Sequence, residues 1–298
     1  MRPRRAVFFE PETKPMLHCL VADGNARDGR ENHVRATGKT SAQAYAALLK
    51  TLATDLACTL INPADADVAL PSGLDLAGFD ALIFTGSALH VTEARPEVGR
   101  QRELMRAALD AGLPVFGSCW GVQVAATVAG GDAGRNPRGP EYGFARAIMP
   151  TLSGRRHPLV SGRPAAYDAP AMHLDAVIAP PPNSDVLASN ALLDVQAIEI
   201  RRGAGVFWGT QYHPELDLDE LGAMLRLQAE DVIEARFCRN RADVEAFAAD
   251  LDDLHRGPRE RTDLAWRHGI GSEVLDALSR RREIANFLDH LVRPRARR

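Results

Sequence analysis

Through the first two-thirds of the chain, short apolar runs alternate with longer amphipathic stretches. Residues 16–22, 57–62, 79–84 and 113–116 are brief and almost wholly apolar, the pattern of strands buried on both faces of a parallel sheet. Between them, residues 40–56 carry an apolar stripe at Ala44, Leu48, Leu49 and Leu52, with Thr40 and Gln43 spaced as a capping box. Residues 96–111 repeat the helical period through Leu104, Ala107, Ala108 and Ala111, and Gly112 supplies a stop. A small-residue helix is predicted over 121–129, ended by Gly130-Gly131. The polar stretch leading to Lys39 and the Asp-, Pro- and Gly-rich stretch over 63–78 read as loops.

The middle of the chain, 134–182, is rich in Gly and Pro, with strands expected around 144–149 and 176–178. Two further strands, 195–200 and 206–211, are separated by Arg202-Gly203 and read as a hairpin returning to the sheet. After Leu216 the pattern is helical: 218–237, 242–255 and, beyond the Gly257-Pro258 break, 272–291. The expectation is an α/β fold, an open and mostly parallel sheet with helices on both faces, followed by a helical extension. The boundary falls at residues 1–217 and 218–298. The basic stretch 293–298 reads as a solvated tail.

The composition supports a folded enzyme and narrows its partners. The chain has 298 residues, 45% of them apolar, which is enough for a sizeable core. A formal net charge of −3 gives no electrostatic case for nucleic-acid binding. No apolar run reaches the length of a membrane span. Met1–Arg5 is Arg-rich, but no signal-peptide segment follows, so a cytoplasmic location is expected. Four Cys are scattered without a C-x-x-C pair, so neither a disulfide framework nor a metal site is expected. Cys19 and Cys58 sit in strand-like runs and read as small buried hydrophobes.

Cys119 has different surroundings. Gly117-Ser118-Cys119-Trp120-Gly121 follows a short strand and precedes a helix, the G-x-nucleophile-x-G pattern of a nucleophile elbow. The glycines admit a turn too tight for side chains. The helix N-terminus favours a thiolate. A tight turn holding an inert Cys is the plainer alternative. A nucleophilic Cys needs a base, and the base needs orienting. Gln211-Tyr212-His213-Pro214-Glu215, at the end of a strand, offers both. Gly38-Lys39-Thr40 looks like half of a phosphate-binding loop, but His33 stands where the first glycine would be, so it reads as a loop and helix cap.

These segments together resemble the class I glutamine amidotransferases, whose fold is flavodoxin-like. Phe84-Thr85-Gly86-Ser87 resembles the oxyanion-loop strand end. Residues 116–123, FGSCWGVQ, resemble the nucleophile segment. Glu141-Tyr142-Gly143, Met172–Asp175, Val195-Gln196-Ala197 and residues 208–215, WGTQYHPE, are similar to segments of the GMP synthase branch. The resemblance covers roughly residues 16–216. It implies a catalytic triad of Cys119, His213 and Glu215, with Gly86 and Trp120 N–H groups as the oxyanion hole. It also implies Gln123, His173 and Ser87 as substrate-binding residues, and no cofactor or metal.

Met172 and Leu174 depart from the family's S-H-G-D, which leaves room for a γ-glutamyl substrate other than glutamine. Three functions stay open. One is a glutaminase passing ammonia to a separate synthetase subunit. Another is a free-standing hydrolase of γ-glutamyl amides. The third is a non-catalytic scaffold on the same fold. The helical extension would pack on the sheet, form a homo-oligomer or dock a partner.

Overall fold

The computed structural model describes residues 16–66 and 75–296. The Arg-rich start, residues 67–74 of the expected 63–78 loop and the last two residues of the basic tail lie outside it. The chain opens with β1 (Leu17–Ala22), α1 (Arg27–Thr37), α2 (Ser41–Leu52), β2 (Leu56–Ile61) and β3 (Ala81–Phe84). Next come α3 (Pro96–Asp110), β4 (Val115–Ser118), α4 (Trp120–Val128) and β5 (Asp132–Arg135). The strands β6 (Glu141–Pro150), β7 (Tyr167–His173), β8 (Asp175–Ala179), β9 (Ser184–Ser189), β10 (Ala197–Arg202) and β11 (Gly205–Thr210) follow. Helices α5 (Leu218–Leu227), α6 (Ala229–Glu234), α7 (Arg241–Arg256) and α8 (Thr262–His268) come last, with short helical turns over 272–296.

Nine strands form one mixed sheet in the order β2-β1-β3-β4-β11-β10-β9-β6-β7. The first five run parallel, and the rest add on antiparallel. The 2-1-3-4 start is flavodoxin-like, and ligands in such folds bind at the carboxyl ends of the parallel strands. The expected hairpin is present: β10 pairs with β11, Arg202 opposite Gly205.

Alternation along β1 shows why the sheet is apolar on both faces. Leu17, Cys19 and Val21 join one core with Tyr45, Leu48 and Leu49 of α2. Leu20 and Ala22 face the other, with α3 and α4. Helices thus cover both faces. A third core joins Tyr142, Phe144 and Met172 to α5, α7 and α8. Ile284, Phe287, Leu288 and Val292 return to the first core. The helical residues after 217 therefore pack in two separate places.

Several expectations fail for physical reasons. The loop before Lys39 contains α1, which has no apolar stripe. Its inward residues are Arg30 and His33, held by polar contacts: Arg30 Nη1 to the Asn25 carbonyl (2.8 Å), and His33 Nδ1 with the Lys39 carbonyl (2.7 Å). The capping box at Thr40 and Gln43 is formed, but α2 stops at Leu52. The helix predicted over 218–237 breaks at Gln228, whose ψ of 31° leaves the helical region. The helix predicted over 272–291 is a series of short turns. Asp276 starts one of them by accepting the Ser279 N–H at 2.7 Å. Strands β5, β7 and β9 and helix α8 are additional to the predicted elements. The basic tail does not stand free in solvent: Arg293 grips Asp55 at 2.8 and 2.9 Å, and Arg295 Nη1 donates to the Gly112 carbonyl. Gly38, from the discounted phosphate-loop motif, is the left-handed cap of α1.

Candidate active site

Strand β4 delivers Cys119 to the carboxyl edge of the parallel strands. Cys119 holds φ 49° and ψ −96°, a strained conformation for a residue with a side chain, and it precedes the first turn of α4. Its N–H donates to the Thr210 carbonyl of β11 at 2.8 Å, which pins the turn. The flanking glycines are required by contact. A Cβ at Gly117 would lie 2.9 Å from Gly121 Cα, and one at Gly121 would lie 3.0 Å from the Phe84 carbonyl oxygen. The expected strand–turn–helix context of the motif is present.

Strand β11, paired in parallel with β4, leads into His213 and Glu215. His213 Nδ1 hydrogen-bonds Glu215 Oε1 at 2.8 Å. Ser118, the residue before Cys119, donates its hydroxyl to that same oxygen, also at 2.8 Å. His213 Nε2 is buried without a hydrogen-bond partner among the described residues. Burial opposes the imidazolium, but the Glu215 carboxylate and the neighbouring Cys119 outweigh it and push His213 up to about 10. Gly86, at the end of β3, lies against the ring: a Cβ there would sit 2.9 Å from His213 Cε1.

A cavity of about 300 Å³ joins these groups and is lined by Cys119, His213, Glu215, Gly86, Ser87 and Gln123, among others. The Cys119 sulfur lies 4.0 Å from the Met172 carbonyl oxygen. Gln123 reaches across from α4 and donates to the Asp175 carbonyl at 2.9 Å. The Trp120 side chain is fixed below the elbow by its Nε1–H, which donates to Gln101 Oε1 at 2.7 Å.

His173 lines the cavity, but its Nε2 is engaged with Glu141 Oε2 at 3.0 Å. Glu141 also accepts from Asn190 Nδ2 (2.6 Å) and Gln196 Nε2 (2.7 Å). Three segments that the sequence offered separately, around 141, 173 and 196, thus meet at one buried carboxylate. Asp175 binds His90 Nδ1 at 2.8 Å at the cavity wall.

Sequence reasoning missed part of the lining. Tyr45 of α2, Asn25 and His33 beside and within α1, and Met224, Leu227 and Gln228 from α5 and its end all face this cavity. The helical period predicted an apolar face for α5, but not what that face would cover.

A parallel-sheet α/β fold with a thiol-bearing elbow defines the broad class. Within it, the chain belongs to the class I glutamine amidotransferase family, whose model matches residues 43–230. A γ-glutamyl-L-1-hydroxyisopropylamide hydrolase from a Pseudomonas species is 32% identical over 286 residues, 95% of each chain. A glutamine-hydrolysing GMP synthase subunit from Ignicoccus hospitalis is 30% identical over 147 residues, 49% of this chain and 72% of that one. A glutamine amidotransferase of known structure from Thermotoga maritima shares the fold, with a TM-score of 0.54 at 16% identity, covering 83% of this chain and 97% of that one. No helix among the described residues is long and apolar enough to cross a membrane.

Proposed function

We propose that this protein hydrolyses a γ-glutamyl amide through a thioester on Cys119, with His213 as acid and base and Glu215 as its orienting carboxylate. One observation carries the proposal. Cys119, on its strained elbow, shares a cavity with a histidine whose Nδ1 is tied to Glu215 and whose Nε2 is unpaired.

The steps follow from that arrangement. The Cys119 sulfur attacks the γ-carbonyl carbon, and the oxygen takes negative charge. The N–H groups of Gly86 and Trp120 stabilise that charge, each worth about 3–4 kcal/mol in such sites. His213 Nε2 delivers the proton of the Cys–His pair to the leaving nitrogen, the C–N bond breaks, and the amine departs. Water then attacks the thioester carbon and passes its proton to His213. Cleavage of the C–S bond frees glutamate, and the thiolate with its imidazolium is restored. Gln123, Ser87 and His173 face the glutamyl portion.

A free-standing hydrolase is favoured over a glutaminase working within a larger synthetase. Residues 218–298, read as an extension to a catalytic domain of 1–217, supply Met224, Leu227 and Gln228 to the cavity wall. The cavity is thus walled by this chain's own helices. The hydrolase similar to this chain from end to end includes that extension. Transfer of ammonia to a separate synthetase subunit is the second reading, supported by likeness to the glutamine-hydrolysing component of a GMP synthase.

The test is glutamate and amine release by wild type and Cys119→Ala on glutamine and a panel of γ-glutamyl amides. Turnover that requires Cys119 supports the proposal, and substituted amides outrunning glutamine favour the free-standing hydrolase. Turnover unaffected by Cys119→Ala, or none on any amide, sinks it.

A further inference from the structure

The hydroxyl of Tyr45 takes no part in the steps above. Tyr45 lies on the second turn of α2, 1% exposed, in the same core as Leu17, Val21 and Leu49. The helix that carries it is held at its start. Beyond the capping box, it is tied to the end of β1, where fully buried Asp23 accepts the Ala42 N–H at 3.0 Å. Tyr45 also lines the cavity around Cys119, as Glu215 does.

Two buried atoms of these residues lack a hydrogen-bond partner among the described residues: the Tyr45 hydroxyl oxygen and Glu215 Oε2. Buried polar atoms are costly to leave so. One group is a donor and the other an acceptor. The phenol keeps its proton, because burial and then the Glu215 carboxylate push its pKa well above the ordinary range. That the carboxylate's charge reaches the phenol makes the two groups neighbours. Glu215 Oε1 is already taken by His213 Nδ1 and the Ser118 hydroxyl, both at 2.8 Å. Oε2 is the oxygen left over.

We propose that Tyr45 is a positioning residue for the base: its hydroxyl donates to Glu215 Oε2 and so holds the second oxygen of the carboxylate whose first oxygen orients His213. Donors on one oxygen leave the carboxylate plane free to tilt. A donor on each fixes the plane, and with it the direction in which His213 Nε2 faces the site. The role rests on the hydrolase proposal above.

Tyr45→Phe removes the oxygen and keeps the ring in the core, so the variant should fold. On the γ-glutamyl amide that wild type turns over best, kcat should fall about tenfold with KM little changed, because the phenol acts through Glu215 and not on the substrate. The urea midpoint should fall as well, whereas loss of an unpaired hydroxyl would raise it or leave it unchanged. In a Glu215→Ala background the same substitution should leave the midpoint unchanged, since the acceptor is gone. A kcat within about twofold of wild type overturns the positioning role. An equal fall in midpoint in both backgrounds also overturns it, because that loss belongs to packing. Either result keeps the hydrolase while turnover still requires Cys119. Absence of Cys119-dependent turnover in wild type overturns the two together.

Discussion

The Tyr212 hydroxyl donates to Glu283 Oε1 at 2.8 Å across 71 positions of chain. Tyr212 immediately precedes His213, so the turn that carries the proposed base is fastened to a segment near the far end of the fold. Glu283 also receives Arg163 through Nε and Nη2, both at 2.7 Å, and Tyr167 stands 2.9 Å from Tyr212. All four side chains are buried.

Breaking this cluster should be costly. Glu283→Ala leaves the Arg163 guanidinium buried and unpaired, and the expected loss is about 3–5 kcal/mol of folding stability in urea denaturation. Replacing both partners by apolar residues, Arg163→Met with Glu283→Leu, should cost clearly less. Equal losses for the single and double variants would refute a dominant ion pair.

Ser118 shares Glu215 Oε1 with His213, which restrains the carboxylate from turning away from the imidazole. Ser118→Ala should lower kcat about tenfold, the scale of one hydrogen bond to a charged group, with KM little changed. Ser118→Thr, which keeps the hydroxyl, should restore most of it. A Thr variant no better than Ala would assign the loss to packing.

Gly86→Ala places a methyl group 2.9 Å from His213 Cε1, so the ring must move. The protein should fold, because the contact is to a side chain at a cavity edge. Turnover should fall by about a hundredfold, since displacement by about 1 Å carries that cost. Steady-state kinetics beside a thermal melt separates the two effects.

The His213 value, raised to about 10 by the Glu215 carboxylate and Cys119 against the opposing effect of burial, sets two pH responses. Folded His213 holds its proton more tightly than the unfolded residue, whose value is near 6.5. The pairing therefore stabilises the fold fully below about 6.5 and ceases to as pH rises through about 10. Urea midpoints for wild type and Glu215→Gln should converge over that window. Turnover that needs a proton on Nε2 should stay level at neutral pH and decline through about 10, whereas a decline centred near 7 would exclude the imidazolium.

Much of the fold was legible because its parallel strands are buried on both faces and its glycines have single purposes. The elbow at 117–121 could be read from residue types alone, since only glycine tolerates those contacts. The pattern failed where burial is polar. Helix α1 is fixed by Arg30 and His33, and no hydrophobic period announces such a helix. The Glu141 cluster was present as three motifs, but only folding joins Glu141, His173 and Gln196. Met224 and Leu227 carried an apolar face with no sign that it would look onto the Cys119 cavity.

Phe287 packs on Phe116, one residue before the Gly117 elbow, with ring centroids 5.5 Å apart. That contact gives the protein a schedule during synthesis. The ribosome makes the strand that carries Cys119 early and the Phe287 ring late, and at about 5–20 residues per second the interval is on the order of 10–30 s. Until then that face of the sheet has α2 against it but not the late ring, so the Cys119 thiol emerges well before the groups proposed to act with it.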